Sequence, residues 1–450
     1  MRIIIAGAGE VGTHLAKMLS NEDQNIVLMD PDAKKLERAS HHLEVLPIEG
    51  SPTLLSDLEN ANVEGADLFV GVTPDESTNI MSCILAKRVG AKHTIARINN
   101  AEYLESEYGT LLEELGVDWM IYPEELAANE IAAITRYPWA RQYIMLFNGA
   151  LALIGVKVRT GAPIVGKHLY ELKGMLPEEE SKSYHIVAIK RDFDTIIPSG
   201  NTRIEHNDLV FFTCSVDHTD TIRQLAGKEA PKIRRIVIMG ASPVALRAIA
   251  KIPSDIQIAI IESNKDKCLR LSEHVPNNVE IYHGDGRDPE ITSEVGLEEA
   301  QVFVALTENS ETNVLACLAA KRYNVYKTIA KEENIDYIPL AYRLDIGTLI
   351  NKKLLAAGYI YRILLGQQTG QVTCLSLVSN AEVVELVARR DSKIIGKKIS
   401  ELDLPRGITF GGMIRNGSPS MIDGDTILEP YDHVVIFYHD ISINELKKLF

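Results

Sequence analysis

Arg2-Ile-Ile-Ile-Ala-Gly-Ala-Gly9-Glu-Val-Gly12 stands at the head of the chain. Ile3–Ala6 is a short unbroken apolar run, the pattern of a parallel strand buried on both faces. Val11, Leu15, Met18 and Leu19 then fall at helical spacing. The glycines lie where the strand turns into the helix. Gly7 permits a tight turn, Gly9 lets a pyrophosphate approach the backbone, and Gly12 lets helix and sheet pack closely. The phosphates of a dinucleotide then meet the helix N-terminus, where free N–H groups and the helix dipole favour negative charge. Asp30 closes the second strand at Ile26–Met29, about 20 residues on, where a carboxylate bonds the ribose hydroxyls. An acid there also repels a 2′-phosphate, so NAD is favoured over NADP.

The same unit occurs twice. Arg2-Ile-Ile-Ile-Ala-Gly-Ala-Gly9 recurs as Arg235-Ile-Val-Ile-Met-Gly-Ala-Ser242, and Leu68-Phe-Val-Gly-Val-Thr-Pro-Asp-Glu-Ser-Thr-Asn79 as Val302-Phe-Val-Ala-Leu-Thr-Glu-Asn-Ser-Glu-Thr-Asn313. Ala86-Lys-Arg88 matches Ala320-Lys-Arg322, and Ile95-Ala-Arg97 matches Ile329-Ala-Lys331. Strands at Leu68–Val72 and His93–Ile98 flank a helix at Ile80–Val89, a βαβ alternation that implies right-handed crossovers. The fold class is therefore α/β: tandem Rossmann-like, doubly wound parallel sheets, each followed by a small α+β domain. In the small domains Pro163-Ile-Val-Gly-Lys167 parallels Lys393-Ile-Ile-Gly-Lys397, and Asp208 after Gly200 parallels Asp432 after Gly424. Short β-branched stretches such as Leu209–Thr213 and His433–Tyr438 lie among turn residues. The expected domains are 1–138, 139–228, 229–360 and 361–450, with Gly227-Lys-Glu-Ala-Pro-Lys232 linking the halves.

The second copy departs at its loop. Gly240-Ala-Ser242-Pro-Val-Ala245 keeps only the first glycine, Ser242 and Ala245 add side-chain atoms, and Pro243 removes a donor. Glu262 stands where Asp30 does, and Asp285 follows Gly284. Binding there is weaker, different in ligand, or lost. Thr73, Asp75, Glu76 and Asn79 lie at the carboxyl end of a strand, the ligand side of this fold. Helix capping accounts for the same residues. Arg97 at that edge suits either a phosphate or an exposed ion pair.

Composition bounds the rest. At 450 residues the chain suggests several domains, since one spans roughly 100–200 residues. A formal net charge of −15 opposes a nucleic-acid partner. No 18-residue apolar run offers direct membrane insertion, and Met1-Arg2 leads straight into a strand with no signal peptide. Cys83, Cys214, Cys268, Cys317 and Cys374 are scattered without CxxC spacing, which fits small buried hydrophobes in a reducing cytoplasm. No metal or P-loop pattern is present, and no acid–base constellation of the kind a dehydrogenase needs. An NAD-dependent dehydrogenase is the rival class; a transcriptional regulator would need a basic helix-turn-helix. His41 and His42 read as solvated surface, His14 as a packing or surface residue rather than a base.

These residues together resemble the TrkA family, peripheral regulatory subunits of bacterial Trk potassium uptake systems. Each half is similar to an RCK (KTN) nucleotide-binding N domain followed by a TrkA-C domain. The match rests on Gly7, Gly9, Gly12, Asp30, Thr73–Asn79 and Arg97, then on Ile164-Val-Gly166, Gly200, Asp208, Ile395-Gly396 and Gly424-Asp425-Thr426. The resemblance implies no enzyme, but a cytoplasmic homo-oligomeric ring, dimer or tetramer, at the inner face of the membrane. Its partner would be a membrane-embedded Trk-type potassium transporter, gated when NAD(H), or ATP or ADP, changes the ring's shape. It implies a binding set of Gly7, Gly9, Glu10, Val11, Gly12, Asp30, Ser51, Thr73 and Arg97 in the first copy. In the second copy the set is Gly240, Glu262, Asp285, Thr307 and Lys331. Ser51 replaces the Asp often found in such domains. Pro123–Ile134 is the segment that crosses over to pair subunits in the family; its Leu126, Ile131 and Ile134 stripe fits core packing equally well.

Overall fold

The computed structural model describes residues 1–20, 24–192, 194–369, 374–376, 381–405, 407–439, 441, 445–446 and 449–450. The first half begins with β1 (Arg2–Ala6), α1 (Glu10–Ser20), β2 (Asn25–Asp30), α2 (Ala33–Ser40), β3 (Leu46–Glu49) and α3 (Leu55–Asn60). It continues through β4 (Leu68–Gly71), α4 (Glu76–Val89), β5 (His93–Arg97), α5 (Ser106–Leu115), β6 (Trp119–Ile121) and α6 (Pro123–Arg136). The strands form one six-stranded sheet in the order β3-β2-β1-β4-β5-β6, every pair parallel. That is the Rossmann order, with its switch point between β1 and β4. Ile3, Ile4 and Ile5 are wholly buried because helices cover both faces, which is why β1 is apolar without alternation.

An antiparallel sheet follows, built from β7 (Gln142–Leu146), β8 (Leu151–Lys157), β9 (Tyr184–Arg191), β10 (Asp194–Ile196) and β11 (Leu209–Ser215) in the order β10-β9-β11-β8-β7. The short helices α7 (Leu169–Leu172), α8 (Glu178–Ser181) and α9 (Thr219–Leu225) accompany it.

The second Rossmann sheet repeats the first. It comprises β12 (Arg235–Met239), α10 (Pro243–Ile249), β13 (Gln257–Glu262), α11 (Lys265–Ser272), β14 (Val279–His283), α12 (Pro289–Glu294) and β15 (Val302–Ala305). Then come α13 (Ser310–Arg322), β16 (Lys327–Lys331), α14 (Ile338–Arg343), β17 (Thr348–Ile350) and α15 (Lys352–Thr369). The strand order is β14-β13-β12-β15-β16-β17. The last sheet, β18 (Cys374–Ser376), β19 (Ala381–Val387), β20 (Ile408–Arg415), β21 (Ser418–Ser420) and β22 (His433–His439), orders as β18-β19-β22-β20-β21.

Two compact units result. One holds Met1–Leu126 with Lys352–Cys374 and Ser442–Glu445; the other holds Ala127–Asn351 with Leu375–Ile441 and Leu446–Phe450. The crossing helices account for this division. α15 follows β17 in sequence yet packs on α1, burying Ala356, Ala357, Ile360, Tyr361 and Leu364. α6 leaves the first unit at Ala127, and its Ile131 and Ile134 are buried.

In the second unit the two antiparallel sheets share a core of Leu151, Leu153, Val187 and Phe211 with Val383, Val435 and Phe437. The Thr213 hydroxyl donates to Gly411 O at 2.6 Å across that contact. The repeated aspartates form matching clasps. Asp208 accepts two hydrogen bonds from the Arg191 guanidinium and one from the Glu205 amide; Asp432 accepts the same from Arg415 and Glu429. Cys83, Cys214, Cys268 and Cys317 are free and buried, and burial pushes the Cys83 thiol up to about 12. The side chain of Cys374 lies outside the described residues.

Candidate site at the glycine loop

The loop between β1 and α1 has the geometry that its glycines anticipate. Gly7 sits at φ +117°, and a Cβ there would lie 3.0 Å from the Thr73 amide nitrogen. A Cβ on Gly12 would come within 1.9 Å of Gly7 O, so only glycine lets the helix approach this closely. Gly9 differs: a Cβ there would meet nothing within 4 Å. Its carbonyl accepts the first helical bond, from the Thr13 amide at 2.9 Å. The amides of Glu10, Val11 and Gly12 in the first turn therefore have no intrahelical acceptor. Open space lies over an electropositive helix end.

Asp30, at the tip of β2, is 5% exposed. One carboxylate oxygen accepts the Ala8 amide at 2.8 Å and the other the Asp32 amide at 2.9 Å, with Lys35 3.8 Å away. It fastens the glycine loop to the neighbouring strand, and each oxygen keeps a lone pair for a further donor. Across the switch point, Asn79 is completely buried and acts as a strut. Its Oδ1 accepts the Thr73 amide at 2.8 Å, and its Nδ2 donates to Thr73 O and to Arg97 O. The Thr73 hydroxyl lies 2.8 Å from the same Oδ1. Asp75 caps α4 by accepting the Thr78 amide, while Glu76 accepts the amides of Asn99 and Asn100. Capping and bracing thus occupy Asn79, Asp75 and Glu76. Arg97, at the end of β5, has a buried Nε without a partner. Ser51 donates its amide to Asp57, and its hydroxyl lies 3.0 Å from that of Thr53. His14 is half-buried; burial and the neighbouring Lys17 lower its pKa.

Glu10 carries a feature that sequence order conceals. Its carboxylate pairs with Lys353, the second residue of α15. A cation from the far half of the chain is thereby brought to the first turn of α1. Lys352 pairs in the same way with Glu124 of α6 at 2.8 Å.

The second copy preserves the braces and alters the loop. Glu262 accepts the amides of Ala241 and Asn264, as Asp30 does those of Ala8 and Asp32. Burial raises its pKa, but these amides and Lys267 outweigh that and lower it. Asn313 ties Thr307 to Lys331 as Asn79 ties Thr73 to Arg97. Gly240 keeps φ +94°. Ser242, however, turns its hydroxyl back to cap α10, accepting the Ala245 amide at 3.3 Å. Its side chain starts from the position that Gly9 leaves open. Asp285 is held by the Arg287 guanidinium, and Lys331 stands 3.8 Å from Glu333.

Fold and site define the class: a tandem pair of Rossmann units, the first with a dinucleotide-type glycine loop, each unit followed by an antiparallel companion sheet. The TrkA-N domain model matches residues 3–123 and 236–352, and the TrkA-C domain model matches 153–227 and 383–450. The chain belongs to the TrkA family. It is 31% identical over its whole length to the Trk system potassium uptake protein TrkA of Haemophilus influenzae, covering 98% of that protein. It is 30% identical to TrkA homolog 1 of Methanosarcina mazei, with both chains fully covered. Among solved structures, the GsuK RCK domain aligns with TM-score 0.60 at 16% identity over all of this chain and 94% of its own. The GsuK channel bound to NAD aligns with TM-score 0.61 at 16% identity, over all of this chain and 78% of its own. At that identity the likeness is one of fold.

Proposed function

We propose that the chain is a nucleotide-responsive regulatory subunit of a Trk-type potassium uptake system, with NAD(H) as the ligand of its first Rossmann unit. The observation that carries this is the open face at Gly9, set above the free amides of α1 and backed by Asp30. The full-length likeness to Trk system potassium uptake proteins supplies the physiological setting.

The residues present fit a dinucleotide. The amides of Glu10, Val11 and Gly12 would receive the pyrophosphate, drawn by the helix dipole. Asp30 would accept a ribose hydroxyl through its remaining lone pairs. Arg97 has a free buried Nε at the same edge, and Lys353 is a second cation beside the loop. Thr73 lines the far side of the crevice, and Ser51 stands beyond the tip of β3. Val11 packs the helix against the sheet. When bound, the cofactor supplies charge and a stacking surface and undergoes no reaction. Gly240, Glu262, Asp285, Thr307 and Lys331 form the corresponding second set, weakened by Ser242. ATP or ADP would compete through the shared phosphate chemistry.

Regulation requires that the ligand favour one of two conformations. The loop is suited to this because α1, whose first turn would hold phosphate, packs on α15 from the second half. A shift of α1 would therefore be felt by α15. The working form would be a cytoplasmic homo-oligomer, dimer or tetramer, against the inner face of a membrane-embedded transporter, and no catalysis would be involved.

Potassium uptake into vesicles carrying the transporter, with wild type or Gly9→Val added, tests this. Uptake that responds differently to NAD⁺ and NADH with wild type, and equally with Gly9→Val, is expected. Identical responses of the two chains would refute it.

A further inference from the structure

Six cations crowd one carboxylate in the second compact unit. Arg141 and Arg159 each donate to one oxygen of Asp345. Lys157 lies 3.5 Å from the first of these oxygens and Lys321 lies 3.4 Å from the second. Lys321 also donates to the Asp345 carbonyl. Lys327 is buried and donates to Ala140 O at 2.5 Å. Lys228 stands close enough to feel Arg159, Arg141 and Asp345. Among the described residues, Asp345 is the one carboxylate in ion-pair reach of this group. The local formal charge is thus strongly positive in a chain whose total is −15.

The excess is not inherited from the repeat. At the equivalent place in the first Rossmann unit, Lys87 pairs with Asp118 at 2.8 Å, and His93 stands 3.7 Å from it where the second unit has Lys327. That site balances one lysine with one carboxylate. The additional charge in the second unit comes from Arg141, Lys157, Arg159 and Lys228, all carried by the first antiparallel sheet and its flanking segments. Like charges gathered in a half-buried place repel strongly. Burial first, then the neighbouring arginines, pull the Lys228 ammonium down to about 8. The site is nonetheless open to solvent: the side chains of Arg159, Lys321 and Asp345 are 38%, 35% and 27% exposed.

We propose that Arg141, Lys157, Arg159, Lys228 and Lys321 form a binding site for a multivalent oxyanion of the phosphate class, in which Asp345 is the internal counter-charge. Two guanidinium forks and three ammonium groups suit a compact tetrahedral oxyanion or a short phosphate chain. Free phosphate, pyrophosphate and the phosphate tail of a nucleotide share this chemistry. Bound there, the anion links cations of the antiparallel sheet to Lys321 of α13, stiffening the junction between the two. This regulatory input is separate from the glycine loop and does not depend on it.

Calorimetric titration of the full chain with inorganic phosphate, pyrophosphate and ATP in low-chloride buffer tests the site. The ATP arm uses Gly9→Val, so that the first glycine loop does not contribute. Saturable binding of pyrophosphate is expected, weakened about tenfold or more by Lys157→Gln with Arg159→Gln. Asp345→Asn should tighten it, because the built-in competitor is lost. Binding of ATP without pyrophosphate would assign the site to a nucleotide tail, and binding of both to the free anion as well. Absence of saturable heat with phosphate and pyrophosphate in wild type and with ATP in Gly9→Val would overturn the proposal. So would equal affinity in the Lys157→Gln, Arg159→Gln chain, a comparison that stands even where Asp345→Asn does not fold.

Discussion

The Asp30 carboxylate accepts the Ala8 amide at 2.8 Å, so the acid that would hold a ribose also holds the glycine loop to β2. Glu262 does the same for Ala241, one methylene longer and opposite a loop that keeps only its first glycine. The brace is therefore common to both halves, while the open face at Gly9 belongs to the first. Binding and stability should consequently separate by residue.

Asp30→Ala removes the acceptor of two amides. It should destabilise the fold by about 1–3 kcal/mol, the cost of leaving buried donors unpaired. Nucleotide affinity should fall at the same time. Asp30→Asn keeps an acceptor and should retain more stability than affinity. Urea unfolding beside calorimetry measures both.

The glycines should part in the opposite sense. Gly9→Val enters open space, so its unfolding midpoint should stay near that of wild type while nucleotide binding is lost. Gly12→Ala would drive a Cβ against Gly7 O and should cost about 1–3 kcal/mol of stability besides binding. Thermal unfolding with and without NADH distinguishes them.

Asn79→Ala should be among the costliest single changes in the first unit, about 2–3 kcal/mol, because it leaves the Thr73 amide and the Arg97 carbonyl unpaired inside. Asn313→Ala should match it. A small loss in either would show that water replaces the strut.

Acid should reach the Asp345 cluster. Burial alone would raise this carboxyl, but Arg141, Lys157, Lys321 and Arg159 outweigh it and hold it well below the usual range. A depressed folded pKa contributes stability that is present above the unfolded value, about 3.9, and is lost as pH falls toward the folded one. Wild-type stability should thus drop below about pH 4, and the Asp345→Asn chain should lack that component. Urea midpoints from pH 5 to pH 2.5 measure it.

Much of this was legible in the chain. Ile3–Ala6 and Ile236–Met239 are unbroken apolar runs because both faces of a parallel strand are covered, and their recurrence marked two units. Gly7, Gly12 and Asp30 announced the loop because each has a steric or hydrogen-bonding duty within about 25 residues of the others. Thr73 and Asn79 left capping and ligand contact undecided; the structure makes Asn79 a strut, since its partner Arg97 O arrives from a different strand. Lys353 beside Glu10 was invisible, because α15 crosses to the first unit and no local pattern records its destination. The Asp345 cluster was hidden for the same reason, its cations being scattered from Arg141 to Lys327.

Titration of the full chain with NAD⁺, NADH, ATP and ADP, against Gly9→Val and with recovery of the cofactor, tests whether the first glycine loop holds a nucleotide without turning it over. Saturable binding of NAD(H) in wild type, its loss in a folded Gly9→Val chain, and cofactor returned unchanged across hydroxy- and keto-acids are predicted. Steady oxidation of NADH with a substrate, or undiminished binding by Gly9→Val, would contradict it.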